Sequence, residues 1–284
     1  MTATTKTPDD LVIRPRDRNF RCGRANERWW AGNDPVATAY YNAFSASFPQ
    51  VERYFIEALR RYRDRAGPKL QQEIAAFIAQ EAVHSREHIT FNRDTICSGY
   101  DLSRIDALLK KRLAWARTLS PVRQAASVAA LEHYTAILSH EVIDKTQLDA
   151  APAEIRRLMY WHAGEEVEHK AVAFDTFMLA AQHLSPPVRW LLRSSVMICS
   201  TFLLFQFFLF SVAEFFRQDG IRSARTWTRF LKFVLITPGA LGHTIGVYFS
   251  WYLPGFHPWR LDDRALIAKA EWASAPPQTA DLPA

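Results

Sequence analysis

Two short stretches of this chain, QEAVHSREH (residues 80–88) and WHAGEEVEHKAVAFD (residues 161–175), repeat glutamate and histidine at i and i+3: Glu81 with His84, and Glu166 with His169. Residues three or four apart share one face of an α-helix, so each pair presents a carboxylate and an imidazole in one direction. On a solvated face this would mean little, because Glu is a good helix former and exposed charge costs little. In the second stretch, however, His162, Glu166 and His169 fall within about 60° of one another at the helical repeat. Glu168 points well away from that stripe, and Val172, Ala173 and Phe177 continue toward an apolar interior. Such a helix carries ligand-type side chains into a core. One Glu-x-x-His is common in helical sequences; two, on separate helices, point to a fold in which those helices face a shared interior.

The rest of the pattern is helical, with almost no strand-like alternation. Residues 35–66 read as one long helix or two abutting ones, with Pro49 tolerated as a first-turn residue of the second part. Helical spacing returns over 69–96 and stops near Ser98-Gly99. An amphipathic stretch, 103–121, lies between two core-type helices and is read as a crossover. Two further helices follow over 121–144 and 152–184, the last ending at Pro186-Pro187. With 284 residues, 49% of them hydrophobic, the chain can bury a large core.

A bundle that holds two metal ions with carboxylates takes one Glu from each of two helices and a Glu-x-x-His from each of two others. The remaining glutamates are present. Glu132 sits inside VAALEHYTAIL, where a buried carboxylate needs a partner. Glu52, in FPQVERYF, lies about 70° from the centre of the apolar stripe Val51, Phe55, Ala58 and Tyr62, against about 150° for Glu57, and is the better candidate. If the crossover makes the two Glu-x-x-His helices antiparallel, His88 and His162 both lie roughly 8 Å from the pseudo-two-fold axis, toward the same end of the bundle. His162 is then the sharper ligand candidate, and His88 a residue that supports a ligand, lines the substrate entrance, or is simply a hydrogen-bonded core histidine. His133, His140 and Glu141 point to other faces. Asp175 either orients a ligand histidine on a neighbouring helix or serves as a surface or capping residue.

The order Glu52, Glu81/His84, Glu132, Glu166/His169 resembles that of ferritin-like di-metal carboxylate proteins. Over residues 15–260, FPQVERYF, QEAVHSREH, ALEHYTAIL, WHAGEEVEHKAVAFD and LPGFHPW resemble the bacterial family labelled "predicted metal-dependent hydrolase". With His162 the last helix reads HxxxExxH, similar to the extra-histidine site of the p-aminobenzoate N-oxygenase type of di-iron enzyme. These resemblances imply an all-α, ferritin-like four-helix bundle with a crossover helix and a C-terminal hydrophobic helical extension. They imply Glu52, Glu81, His84, Glu132, His162, Glu166 and His169 as ligands to two metal ions; mixed imidazole and carboxylate donors suit iron or manganese and admit zinc, with iron favoured. The expected activity is O2-dependent oxidation of an apolar or lipid-derived substrate, with an external electron donor. The alternatives are hydrolysis by a metal-bound water, as the family label implies although no motif specifies it, and a non-catalytic iron or oxygen sensor.

Other classes are poorly supported. The net charge is +6, but Lys and Arg are spread along the chain with no nucleic-acid-binding pattern. Serine-nucleophile and glycine-rich phosphate motifs are absent. Cys22, Cys97 and Cys199 are far apart and form no CxxC, which suits a reducing compartment. Residues 1–20 lack an apolar signal core and are expected to be a flexible lead-in, with the bundle over 21–187, hydrophobic helices over 188–260 and a C-terminal tail over 261–284. Ser194 to Ala213 carry no formal charge and are long enough to span a bilayer. A weaker apolar run follows, with Pro238 and with glycines flanking His243. A spanning hairpin would put the basic segment RQDGIRSARTWTRFLK opposite the metal domain, against the usual charge bias. The expectation is therefore a cytoplasmic protein whose extension lies in the inner face of the membrane, the other options being a buried helix or a homodimer interface.

Overall fold

The computed structural model describes residues 7–20, 27–144, 148–235 and 240–276. Cys22, Pro238 and the side chain of His243 lie outside the described residues. The architecture is all-α, and the helices are α1 (Pro35–Arg60), α2 (Pro68–Cys97), α3 (Ser103–Arg117), α4 (Pro121–Asp144), α5 (Ala153–Ala180), α6 (Pro186–Gln218), α7 (Ala224–Leu235), α8 (Ala240–Ser250) and α9 (Arg264–Ser274). Four of them begin on a proline, which has no N–H to lose in a first turn. At α1, Asp34 adds a side-chain cap on the Val36 N–H.

Helices α1, α2, α4 and α5 form the bundle. Pairings of 45 with 92 and 52 with 85 make α1 and α2 antiparallel. Pairings of 88 with 162 and 80 with 169 do the same for α2 and α5. The crossover α3 carries the chain to the end of the bundle where α1 finishes and α2 begins, so α4 runs parallel to α2 and against α5.

Helix α1 continues through Pro49 as one helix. Proline cannot donate to the carbonyl four residues earlier. That carbonyl, on Ser45, instead accepts from Asn92 Nδ2 at 2.8 Å, so the defect ties α1 to α2.

The segments flanking the bundle differ from the expected lead-in and tail. Residues 7–20 lie against the bundle: Ile13 and Phe20 are buried, and the Phe20 N–H donates to Glu87 on α2. Within 261–284, residues 264–274 form α9, which crosses α5 at Gly164, where a β-carbon would stand 2.7 Å from that of Ala270. Asp263 joins it to the bundle by receiving Lys170 Nζ at 2.5 Å and facing His140 at 3.2 Å. The connecting segment of the extension is partly helical, because Trp227 and Phe230 of α7 pack on Phe216 at helical spacing. Helix α6 shares the bundle's own core through Met197, Phe207, Val212 and Phe215, so residues 188–260 are not a separately packed module.

Candidate metal centre

Helix α5 is buried on every side from Trp161 to Phe174. It can be so only because its charged residues find partners there. The structure brings all seven ligand candidates together: Glu52 from α1, Glu81 and His84 from α2, Glu132 from α4, and His162, Glu166 and His169 from α5, none more than 5% exposed. Glu81, His84, Glu166 and His169 offer ligand atoms within 4.8 Å of one another, and Glu52, His84 and His162 form a second such group sharing His84. Glu132 belongs to neither group but faces His169 Nδ1 at 3.8 Å.

Whether metal ions fit can be judged from unsatisfied atoms. Buried polar groups are normally hydrogen-bonded. Here Glu52 Oε1, both oxygens of Glu81 and of Glu132, His84 Nδ1, Glu166 Oε2 and His169 Nδ1 are buried without a hydrogen-bond partner. Glu81 Oε1 and His169 Nδ1 approach to 2.9 Å without hydrogen-bond alignment, as two donors converging on one point would. Four carboxylates and three imidazoles, with their orphan atoms turned inward, fit two divalent ions of the iron, manganese or zinc type.

The outward atoms are all held. His84 Nε2–H donates to Glu165 Oε2 at 2.9 Å, and His169 Nε2–H to Gln80 Oε1 at 2.9 Å. Both assignments leave Nδ1 free for a metal. Gln80 in turn donates to Glu168 at 2.9 Å. Arg16 closes both chains, reaching Glu165 at 3.1 Å, Glu168 at 2.7 Å and Glu271 of α9 at 2.6 Å. His162 is oriented differently. Its Nε2 faces Glu166 at 2.9 Å and Glu52 at 3.8 Å, while Nδ1 meets His88 Nε2 at 2.6 Å. With Nε2 given to a metal, one consistent set of protons runs from His162 Nδ1–H to His88, from His88 Nδ1–H to Ser45 Oγ at 2.8 Å, and from Ser45 O–H to Asn92 at 2.9 Å.

Burial, with the neighbouring carboxylates, pushes the carboxyl groups of Glu52, Glu81 and Glu132 well above their usual range. Burial acts the same way on Glu166, but the neighbouring imidazoles of His162 and His84 overcome it and hold that group low. Burial lowers His162 and His169 to about 4, keeping both neutral as ligation requires.

Several residues were not legible as part of the site. Arg16, Gln80, Glu165 and Glu168 all support ligands; the usable signal was the close spacing of Glu165, Glu166 and Glu168 on one helix. Asp175 receives Thr7 and faces His257 at 3.2 Å, and so orients no ligand histidine. His133 bonds to the Val247 carbonyl. Glu57 pairs with Arg117 at the surface.

A cavity of about 390 Å³ reaches the centre at Glu52 and Glu166, between α1, α3, α4 and α6. Its inner end is closed by Phe48, whose ring lies 4.7 Å from those of both His88 and His162.

A family described as "predicted metal-dependent hydrolase" matches residues 14–262, most of the chain. The chain belongs to this family. Comparison with curated proteins and with solved structures gives no match. Family and geometry agree on the coarse statement: a metal-dependent, all-helical protein with a buried His/Glu cluster able to bind metal.

Proposed function

We propose that this family member is a dinuclear metal enzyme that uses O2 to oxidise an apolar, lipid-derived substrate. The observation that carries the reading is the junction of the ligand cluster with a largely apolar cavity, in which Glu52 and Glu166 are the carboxylates that face the cavity. Two irons, when bound, would supply the binding and reduction of O2. The chain holds the ligand nitrogens in one tautomer through Glu165, Gln80 and His88, and keeps water away with Phe48, Val51, Phe55 and Leu131. Inserting one oxygen atom into a C–H bond takes O2, two electrons and two protons and releases water, so an external electron donor is part of the proposal.

Hydrolysis is the second reading, favoured by the family description. Two metals could lower the pKa of a shared water and polarise a scissile carbonyl. The readings separate in one experiment. Protein loaded with Fe(II) should consume O2 in the presence of a reductant and a long-chain lipid, and protein loaded with zinc should leave aryl and alkyl esters intact. Inert iron protein together with ester turnover by the zinc form would replace the first reading by the second.

The exposed face of α6 belongs to the same proposal. α6 is long and apolar enough to cross a membrane, yet a third of its most apolar stretch is buried in the protein. Val188, Leu191, Ile198, Phe202 and Phe205 recur at steps of three, seven, four and three residues along its outer side. An apolar stripe of this size marks an interaction surface, and we assign it to the inner face of a membrane rather than to a second copy of the chain.

A further inference from the structure

The cavity that reaches Glu52 and Glu166 is not apolar throughout: its wall also carries Arg112 of α3 and Arg123 of α4. Neither guanidinium has a carboxylate partner among the described residues. Arg112 donates only to a backbone carbonyl, that of Leu203 on α6. Arg123 is exposed and makes no hydrogen bond or ion pair there. By contrast, Arg117 is paired with Glu57 and Arg104 with Glu214. Two uncompensated cations facing one apolar space call for an anion with an apolar body.

Their placement sets the orientation. Arg123 lies nine residues before Glu132 on the same helix, about 14 Å along its axis. Arg112 is on α3, which carries none of the seven ligand candidates. Two divalent ions would balance the four glutamates, leaving the metal end without net charge to attract an anion. The outer wall of the cavity is formed by α6, through Leu192, Val196, Cys199 and Leu203. The exposed apolar stripe lies on the adjacent face of the same helix, about 100° around its axis, so a chain leaving a membrane has a short path into the cavity.

From this arrangement we infer that the cavity takes a single-chain aliphatic carboxylate, its headgroup on Arg112 and Arg123 and its chain directed toward Glu52 and Glu166. Guanidinium and carboxylate match in a bidentate geometry, and a space of this size suits one chain rather than a two-chain lipid. The inference rests on reading the cavity as the substrate site, but it does not require oxygen chemistry. It places the hydrocarbon chain, rather than the acid group, beside Glu52 and Glu166.

The test is calorimetric binding of dodecanoate and of 1-dodecanol to the zinc-loaded protein, in which nothing turns over. Wild-type protein should bind the acid about tenfold more tightly than the alcohol, the effect of a charge-assisted hydrogen bond. Arg123→Gln and Arg112→Gln should each remove most of that preference while leaving the alcohol unchanged. Arg123→Gln disturbs no internal contact and decides the matter if the loss of the Leu203 bond unfolds the other variant. Equal binding of acid and alcohol to wild type overturns the inference. So does a preference that survives Arg123→Gln but vanishes when the metal is removed, since the acid would then sit on the metals. Acid binding without O2 consumption would leave this inference standing and remove the oxygenase reading alone.

Discussion

The ligand cluster between α1, α2, α4 and α5 and the outer face of α6 break the same rule in opposite senses. At the first, four glutamates and three histidines are buried, and all but His162 keep atoms that make no hydrogen bond. At the second, Leu191, Ile198, Phe202 and Phe205 are each more than half exposed. Exposed apolar atoms are ordinary singly, and so are buried polar groups when paired. Concentrated, each arrangement is incomplete without something outside the chain: cations in the first region and an apolar surface in the second. The helix architecture around both is conventional. What distinguishes the protein is what its two unsatisfied regions are built to receive.

The largest expected effect breaks the inner region. Glu132→Ala and Glu166→Ala should each lose most of the bound metal, read by elemental analysis of protein from iron-replete cells; full metal content in both variants would leave the cluster without its proposed role. Metal removal should come next. In the metal-free protein Glu52, Glu81 and Glu132 have raised pKa values, as does His84, where the hydrogen bond it donates to Glu165 and the neighbouring carboxylates of Glu166 and Glu81 outweigh burial. Groups raised on folding stabilise below their unfolded pKa and lose that contribution as pH rises through the folded value. His88, His162 and His169 are lowered, mainly by burial, and act in the opposite sense, but only below their unfolded value of 6.5. Above about pH 6.5 the first group acts alone, so the melting temperature of the metal-free protein should fall with rising pH while that of the loaded protein changes little. Parallel curves for the two forms would contradict this.

A smaller effect tests the link between the N-terminal segment and the centre. Arg16→Gln should weaken metal binding by about tenfold or more, the usual consequence of disturbing groups that orient ligands. Unaltered affinity would reduce Arg16 to a surface clasp. The smallest effect on the centre should come from the outer region: Ile198→Glu with Phe202→Glu should release the protein from anionic lipid vesicles with metal content unchanged. Wild-type protein that ignores vesicles would refute the membrane assignment.

The seven ligand candidates were legible because each lies on a helix whose 3.6-residue repeat fixes its direction. Their supports were not. Arg16 is in a segment with no periodicity and meets Glu165 and Glu168 from about 150 residues away. Glu168 does point away from the metal stripe, but toward Gln80 and Arg16 rather than solvent, because residues 7–20 and α9 cover that side of α5. A stripe argument finds which residues share a direction; it cannot find what a distant segment lays over the other directions. The same limit explains α9, whose docking at Gly164 depends on a missing side chain.

The central claim is that the orphan atoms between α1, α2, α4 and α5 exist to hold two metal ions. Anaerobic titration of metal-free protein with Fe(II), followed by calorimetry and by the protons released from the raised carboxyls, tests it most directly. Saturation at two ions per chain, with net proton release on binding, is the predicted result. Saturation at one ion or none, or binding that takes up protons, would contradict it.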